Sequence, residues 1–426
     1  MSLIVQKFGG TSVGDAEKIM NVARIIADTH DQGHQVVTVV SAMGHSTDAL
    51  VDLAKKITDN PTGREYDALL ATGEMVSVAL LSMALNSLGY KAVGLNGAQA
   101  GILTEDLFNR ARILEIDTNG IKKALSEGNI IIVTGFQGIN SLGEITTLGR
   151  GGSDTSAVAL AAALEAERCD IYTDVRGVYS TDPRIVPEAV KMPRIAYIEM
   201  LELARVGAQV LHPRAVETAR QGNVAVCVRS TFDLKDSGTM VLGIEAMDKD
   251  RRVAGIACDE SQARLALTGV PDQPGIAAEV FGTLANHNIS VDMIIQSLSE
   301  SDVPGGKPTN DIAFTVSETD LHDAVTVLEQ VKQKIGAKQV LVDTDIAKVS
   351  IVGAGMIDRP GIAADMFRAL AEGKINIKMI STSEIKISCL VDKTAAKDAV
   401  RTIHGRFFAD SGLSVTQATV NEKLGY

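Results

Sequence analysis

Cysteine is scarce in this sequence, positive charge is outweighed, and no hydrophobic run is long. The four cysteines, Cys169, Cys227, Cys258 and Cys389, stand 58, 31 and 131 residues apart. No pair has C-x-x-C spacing, so neither a zinc site nor a disulfide framework is indicated, and the thiols read as reduced and mostly buried in a cytoplasm. Forty-one basic against 53 acidic residues leave a net charge of −12. A nucleic-acid footprint or a polybasic membrane patch is therefore not expected, although a phosphate site needs only local donors and stays open. The most membrane-like run, Met75–Tyr90, has 16 uncharged residues, among them Ser77, Ser82, Asn86 and Ser87. It falls short of the ~20 apolar residues of a span and reads as a buried helix. The opening MSLIVQKFGG has no basic stretch before its short apolar run, so a signal peptide is not expected. No G-x-S-x-G elbow occurs, and most of the histidines read as surface or turn residues.

What is present is globular: 45% hydrophobic and 22% charged residues over 426 positions. At about 150 residues per domain, that length predicts two or three cores. The first 240 residues alternate short β-branched runs with helical patterns. Strands are expected at Leu3–Gln6, Gln35–Val40, Ile130–Thr134, Asp170–Thr173 and Val224–Arg229. A helix at Ala16–Thr29 places Ile19, Val22, Ala23 and Ile26 on one face, and Ser156–Ala166 is an alanine-rich helix behind a polar cap. Alternation of this kind argues for a largely parallel sheet covered on both faces. The periodic pattern breaks at Asp236–Asp250, where the domain boundary is expected.

The last 180 residues contain an internal repeat. Val270–Ile294 matches Met356–Ile380 at 12 of 25 positions with a constant offset of 86. Asp323-Ala-Val matches Asp398-Ala-Val at an offset of 75, and the difference is the loop Ser301–Asp311 of the first copy. Each copy reads strand, D-x-P-G turn, helix, strand, strand, helix, strand.

Two glycine loops carry the chemistry. Lys7-Phe8-Gly9-Gly10-Thr11-Ser12 joins the first strand to the first helix. Its glycines let backbone approach a polyphosphate, and its lysine can neutralise transferring oxygens. It fits neither G-x-x-x-x-G-K-[ST] nor G-x-G-x-x-G, and taken alone a plain turn with an exposed lysine explains it equally well. Gly149-Arg150-Gly151-Gly152-Ser153-Asp154-Thr155-Ser156 is the second loop. Its arginine suits a carboxylate or phosphate fork, and Ser153, Asp154 and Thr155 suit a helix cap. Asp154 also suits orientation of the lysine or of a magnesium-bound phosphate. Ser41–Asp48 offers hydroxyls. Thr72-Gly73-Glu74 opens the buried helix with a carboxylate, suited either to an ammonium group or to a first-turn charge. Thr173–Arg184 is a turn-rich loop with an aromatic residue and arginines.

Together KFGGTS at Lys7–Ser12, SAMG at Ser41–Gly44, TTLGRGGSDTSAVALAAAL at Thr146–Leu164, TDVRGVYSTDPR at Thr173–Arg184 and LHPRAVE at Leu211–Glu217 resemble the aspartate kinase family. The repeats resemble ACT domains, βαββαβ amino-acid sensors. The resemblance implies an α/β fold. A three-layer αβα kinase domain with a mostly parallel sheet would occupy residues 1–240, with a linker at 241–263. ACT domains would follow at 264–343 and 344–426. It implies transfer of the γ-phosphoryl of ATP, with Mg²⁺ bound mainly through the nucleotide, to the side-chain carboxylate of L-aspartate. That is the first step toward lysine, threonine, methionine and isoleucine.

By the same resemblance Lys7 and Asp154 are the catalytic pair, with Asp154 organising Lys7. Gly9, Gly10, Thr11 and Ser12 cradle phosphate, and Thr173, Asp174, Tyr179, Asp182 and Arg184 take the nucleotide. Ser41, Thr47, Glu74, Arg150 and Ser153 contact aspartate, Glu74 near the amine. No metal is expected to be held by protein side chains alone. Asp272, Gly275, Ala277, Ser290, Val291, Asp292 and Gln296 would line an effector pocket. Asp358, Gly361, Asn376, Ser381 and Glu384 of the second copy would form either another site or a pairing surface. Lysine and threonine are the implied effectors, and a homo-oligomer formed through the ACT domains is implied. In such chains the first ACT copy can be inserted within the second, which would assign Val253–Cys258 to the second module. Met247 would serve as an internal start for a sensor-only subunit. One departure stands out: where the family usually has a lysine before its V-L-H-P segment, this chain has Gln209. Two rivals remain, another amino-acid kinase acting on glutamate, N-acetylglutamate or a nucleotide, and a catalytically weak amino-acid-binding regulator.

Overall fold

The computed structural model describes residues 2–243, 251–299, 309–357 and 359–409. These fall into two compact units. The first takes the described residues of Met1–Tyr179, Lys191–Arg205 and Gln209–Asp248, and the second those of Ser180–Val190, Val206–Ala208 and Lys249–Tyr426.

In the first unit the strands β1 (Leu3–Phe8) and β2 (Gln35–Val40) flank the helix α1 (Ala16–Asp31). Ile19, Val22, Ala23 and Ile26 of α1 are buried, and Asp15 caps the helix by accepting the Lys18 N–H at 2.8 Å. Then come α2 (Ser46–Lys55), α3 (Arg64–Ser87), β3 (Ala92–Leu95), β4 (Ile102–Thr104), β5 (Ile113–Ile116), α4 (Asn119–Ser126), β6 (Ile130–Thr134), β7 (Gln137–Ile139) and β8 (Ile145–Thr147). The rest of the unit is α5 (Gly152–Ala163), β9 (Arg168–Thr173), β10 (Arg194–Ala196), α6 (Tyr197–Arg205), α7 (Pro213–Gly222), β11 (Val226–Ser230) and β12 (Thr239–Leu242). Eight strands form one sheet in the order β10-β12-β11-β9-β1-β2-β6-β3, parallel throughout except where β11 meets β12. Ile4, Val5, Val37, Val39, Ile131 and Val133 are fully buried. Continuous β-branched runs fit strands covered on both faces, each such side chain contributing roughly 1.5–3 kcal/mol by burial.

Two helices differ from the sequence expectation. The apolar run at Met75–Tyr90 lies on α3 as far as Ser87, and that helix starts at Arg64 and has 24 residues. Glu74 therefore sits in mid-helix rather than at its opening. By length and composition α3 would suffice to cross a membrane, but half of its most apolar window is buried in the fold, and Met75, Val76, Leu80 and Met83 are exposed. The alanine-rich helix α5 begins at Gly152, so Ser153, Asp154 and Thr155 occupy its first turn instead of capping it. Gly151 at the N-cap holds φ +70°, and a Cβ there would collide with the His212 ring.

The second unit is built from β13 (Gly255–Asp259), β14 (Gln262–Pro271), α8 (Ile276–Asn286), β15 (Asp292–Ser299), β16 (Thr309–Ser317), α9 (Leu321–Ile335) and β17 (Gln339–Asp343). It continues with β18 (Ile346–Val352), α10 (Ile362–Glu372), β19 (Met379–Thr382), β20 (Lys386–Asp392) and α11 (Ala396–Phe408). The first repeat makes the antiparallel sheet β15-β16-β14-β17, around Leu265, Leu284, Phe314 and Leu328. The second makes β13-β18-β20-β19. In that sheet β13 holds the position that β17 holds in the first, so a strand preceding the first copy completes the second. The strand expected after α11 would fall at 410–426, outside the described residues, as does Met247. Of the loop expected at Ser301–Asp311, residues 301–308 lie outside the described set, and Thr309–Asp311 already belong to β16.

The kinase segment expected at 1–240 is interrupted in two places. Ser180–Val190 belongs to the second unit, where Val186 is buried among Val349, Ile351 and Val400 and the Ser180 carbonyl accepts the Ile256 N–H at 2.7 Å. Val206–Ala208 joins it too, with Gly207 packed against the Cys258 carbonyl.

Candidate active site

In the large sheet β1 lies between β2 on one side and β9 on the other. The chain order reverses there, and ligands in such sheets bind outside the carboxyl ends of the strands. Lys7 is the penultimate residue of β1, in register with Val39 and Ile171. Its ammonium pairs with the Asp154 carboxylate at 2.6 Å, and both side chains are largely buried, 12% and 14% exposed. Asp154 stands in the first turn of α5, where the helix dipole favours a negative charge. The first and second glycine loops therefore meet through one ion pair.

Gly10 joins a third loop to them. A Cβ on Gly10 would lie 2.8 Å from the Ala42 carbonyl oxygen, and the Gly10 carbonyl accepts the Gly44 N–H at 3.0 Å. Only a residue without a side chain permits that approach. Ala42 in turn donates its N–H to Glu74 Oε1 at 3.1 Å. Glu74 is 3% exposed, its Oε2 has no partner, and burial pushes its carboxyl up to about 7. A buried carboxylate with one unused oxygen suits a cationic ligand group. Ser41 and Thr47 are half-buried at either end of the same loop, Thr47 in the first turn of α2. Arg150 is exposed and takes no ion pair among the described residues, leaving its fork available. Ser153 packs against Gly135, whose neighbour Phe136 holds φ +71° while donating its N–H to Ser156 Oγ at 3.2 Å.

Among the residues expected to take the nucleotide the placements are mixed. Gly9 and the exposed Thr11 stand at the open end of the first loop. Ser12 does not: it is fully buried and shares a 2.7 Å hydrogen bond with the Thr231 hydroxyl. Its role is to tie the loop to the end of β11, a contact between residues 219 positions apart that no local pattern announces. Thr173 closes β9, accepts the Thr231 N–H on its carbonyl at 2.9 Å and donates its hydroxyl to the exposed Asp174 at 3.0 Å. Tyr179 is half-buried and bridges to Lys191. Asp182 and Arg184 belong to the second unit and fork onto each other, Nη2 to Oδ2 at 2.8 Å. Gln209 is exposed in the turn after α6. Among the described residues no three histidines, cysteines or carboxylates stand together as metal ligands.

The repeats present their D-x-P-G turns as helix entries, with Gly275 and Gly361 in left-handed conformation at the N-caps of α8 and α10. Asp272, Ala277, Ser290 and Gln296 are exposed and Val291 is half-buried around the first turn. Asp272 accepts from Asn310 Nδ2 at 3.0 Å, and the Asn310 side-chain oxygen is buried without a partner. The Asp292 carboxylate pairs with Lys348 at 2.9 Å, a lysine only 2% exposed on β18. Neither Asn310 nor Lys348 carried a sequence signal. In the second copy Asn376 and Glu384 are exposed and Ser381 is half-buried on β19, while Asp358 lies outside the described residues.

Residues 2–230 match the amino acid kinase family, and residues 265–336 and 349–407 each match an ACT domain. Aspartokinase 2 of Bacillus subtilis is 51% identical over 407 residues, covering 96% of this chain and 98% of that one. The fold is similar to Escherichia coli aspartokinase III in complex with aspartate and ADP (R-state), with a TM-score of 0.78 and 29% identity over 95% of this chain and 100% of that one. The same enzyme in complex with lysine and aspartate (T-state) gives a TM-score of 0.72 at 29% identity, over 95% of this chain and 99% of that one. With the Lys7–Asp154 pair at the switch point of a parallel sheet and two ACT repeats later in the sequence, the chain belongs to the aspartokinase family.

Proposed function

We propose that this protein phosphorylates the side-chain carboxylate of L-aspartate with ATP, giving 4-phospho-L-aspartate, and that its ACT repeats sense end-product amino acids. The observation that carries this reading is the Lys7–Asp154 pair joining both glycine loops. An aspartate carboxylate is already ionised near neutral pH and needs no general base. Its oxygen attacks the γ-phosphorus. The new P–O bond forms as the bond to the β,γ-bridging oxygen breaks, and ADP leaves with the electron pair. Positioning and charge neutralisation supply most of the catalysis in such a transfer. Lys7 sits on the transferring oxygens, held by Asp154 rather than free to swing. Glu74 takes the aspartate ammonium through its unused oxygen, and Arg150 forks a carboxylate, with Ser41, Thr47 and Ser153 beside them. Gly9, Gly10, Thr11, Thr173, Asp174 and Tyr179 form the nucleotide side, where Mg²⁺, held mainly through the nucleotide, would supply neutralisation of phosphate charge.

Initial-rate ADP formation across a panel of aspartate, glutamate, N-acetylglutamate and nucleoside monophosphates tests the assignment. Turnover is expected with aspartate alone, and no dependence on aspartate would overturn it. The same assay with lysine, threonine and both tests the sensing role of the pocket around Asp272, Gly275, Asp292 and Gln296. The protein is expected to work in the cytoplasm as a homo-oligomer paired through ACT domains. Gln209 bears on the nucleotide: Gln209→Lys would add one exposed cation and is expected to lower KM for ATP about three- to ten-fold. An unchanged or higher KM for ATP would remove Gln209 from the phosphate side.

A further inference from the structure

The face of α3 that carries Glu74 carries a second buried carboxylate two turns earlier. Asp67 is fully buried, 0% exposed, and has no ion-pair partner among the described residues. Four donors compensate its charge instead. Asn109 donates its backbone N–H to Oδ2 at 2.9 Å and its Nδ2 to Oδ1 at 2.6 Å. Thr147 donates its backbone N–H to Oδ2 at 2.7 Å and its hydroxyl to Oδ1 at 2.9 Å. The Asn109 N–H also reaches Oδ1 at 3.1 Å, so Oδ2 takes two donors and Oδ1 three, and Asp67 has no capacity left for a ligand, in contrast to Glu74 with its unused Oε2.

Both segments that Asp67 ties lead to Arg150. Thr147 is the last residue of β8, three positions before it. Asn109 holds φ +68°, and its carbonyl oxygen lies where a Cβ on Gly149 would come within 3.0 Å. Asn109 also returns to the start of α3, its Oδ1 accepting the Gly63 N–H at 3.1 Å. The Ala111 N–H donates to the Thr147 carbonyl at 2.9 Å, which binds the two segments to each other. One rigid helix thus anchors the Ala42 loop through Glu74 and the Arg150 loop through Asp67.

We propose that Asp67 is a positioning residue of the aspartate site: its ionised carboxylate holds Asn109 and Thr147 so that the Arg150 guanidinium stays in register with Glu74 for the two charged ends of one amino acid. The inference rests on the reading of Arg150 as the fork for an aspartate carboxylate. Asp67→Asn keeps the volume but turns one acceptor into a donor facing other donors. Losing charge-assisted bonds of this kind is expected to raise KM for aspartate about 10- to 100-fold while KM for ATP stays within about two-fold. Thr147→Val, which keeps the backbone N–H, is expected to raise KM for aspartate about three-fold.

Initial rates on the full chain, with each variant made alone and combined with Arg150→Ala, carry the test. If Asp67 acts through Arg150, Asp67→Asn adds less than about two-fold to the effect of Arg150→Ala, because coupled residues are not additive. A merely structural role predicts additive losses and equal shifts in both KM values, and either result overturns the proposal. Should Asp67→Asn lose its cooperative melting transition, the Thr147→Val cycle decides alone, coupled or additive. Arg150→Ala with an unchanged KM for aspartate would defeat the reading of Arg150, and this inference with it. A raised KM in Arg150→Ala with none in Asp67→Asn would defeat the inference and leave that reading standing.

Discussion

Replacing Lys7 by alanine is expected to lower kcat about a thousand-fold, the scale of removing a pre-placed charge from a transferring phosphoryl group. The ammonium stands at the carboxyl end of a strand buried on both sides, already oriented by Asp154 at 2.6 Å, so little reorganisation is needed at the moment of transfer. The substitution has a second consequence. Without Lys7 the Asp154 carboxylate is largely buried and unpaired, and its charge would then repel the nucleotide tail. The first turn of α5 softens that cost through the helix dipole but does not remove it. Asp154→Asn leaves the lysine charged and merely less well held, so its loss of kcat is expected to be at least ten-fold smaller than that of Lys7→Ala. Coupled ADP assays on both variants, with thermal melting as the control for folding, give the comparison. Equal losses, or a greater loss in Asp154→Asn, would make Asp154 the principal group and Lys7 its support.

The large sheet and both glycine loops were legible because their signals are local. A β-branched run buried on both faces, such as Gln35–Val40, leaves few alternatives, and the repeat exposes its own period. What sequence reasoning missed is long-range. Ser12 reads as one more phosphate donor until its partner Thr231 is seen. Glu74 reads as the opening of a helix because the polar stretch Arg64–Asp67 hides two further turns ahead of the apolar run. Asp67 gave no signal at all: an aspartate in the first turn of a helix is ordinary at a surface, and only the fold brings Asn109 and Thr147 to it. The alanine-rich helix was placed one turn late because serine, aspartate and threonine favour caps, whereas here Gly151 takes the cap in a left-handed conformation.

Glu74→Gln is expected to raise KM for aspartate about 100-fold at pH 8 and to abolish its dependence on pH. Burial raises the Glu74 carboxyl from 4.5 to about 7, against the smaller opposing effects of its own backbone N–H and that of Ala42. The native state therefore holds a proton that the unfolded chain releases. That preference stabilises the fold fully below about 4.5 and is lost as pH rises through about 7. The difference between those limits is roughly 3 kcal/mol. Ligand binding runs the other way, because an ammonium needs the ionised carboxylate. With ATP saturating, KM for aspartate is expected to fall about ten-fold per pH unit below 7 and to level off above it. Aspartate binding near pH 6 should release about one proton, readable by calorimetry in buffers of different ionisation enthalpy. In Glu74→Gln the profile flattens and proton release vanishes. At pH 8 the empty variant should melt higher than the parent, because a neutral amide no longer has to be buried as a charge. A variant that lost affinity yet kept the slope would assign the titration to another group and leave Glu74 as packing beneath the Ala42 loop.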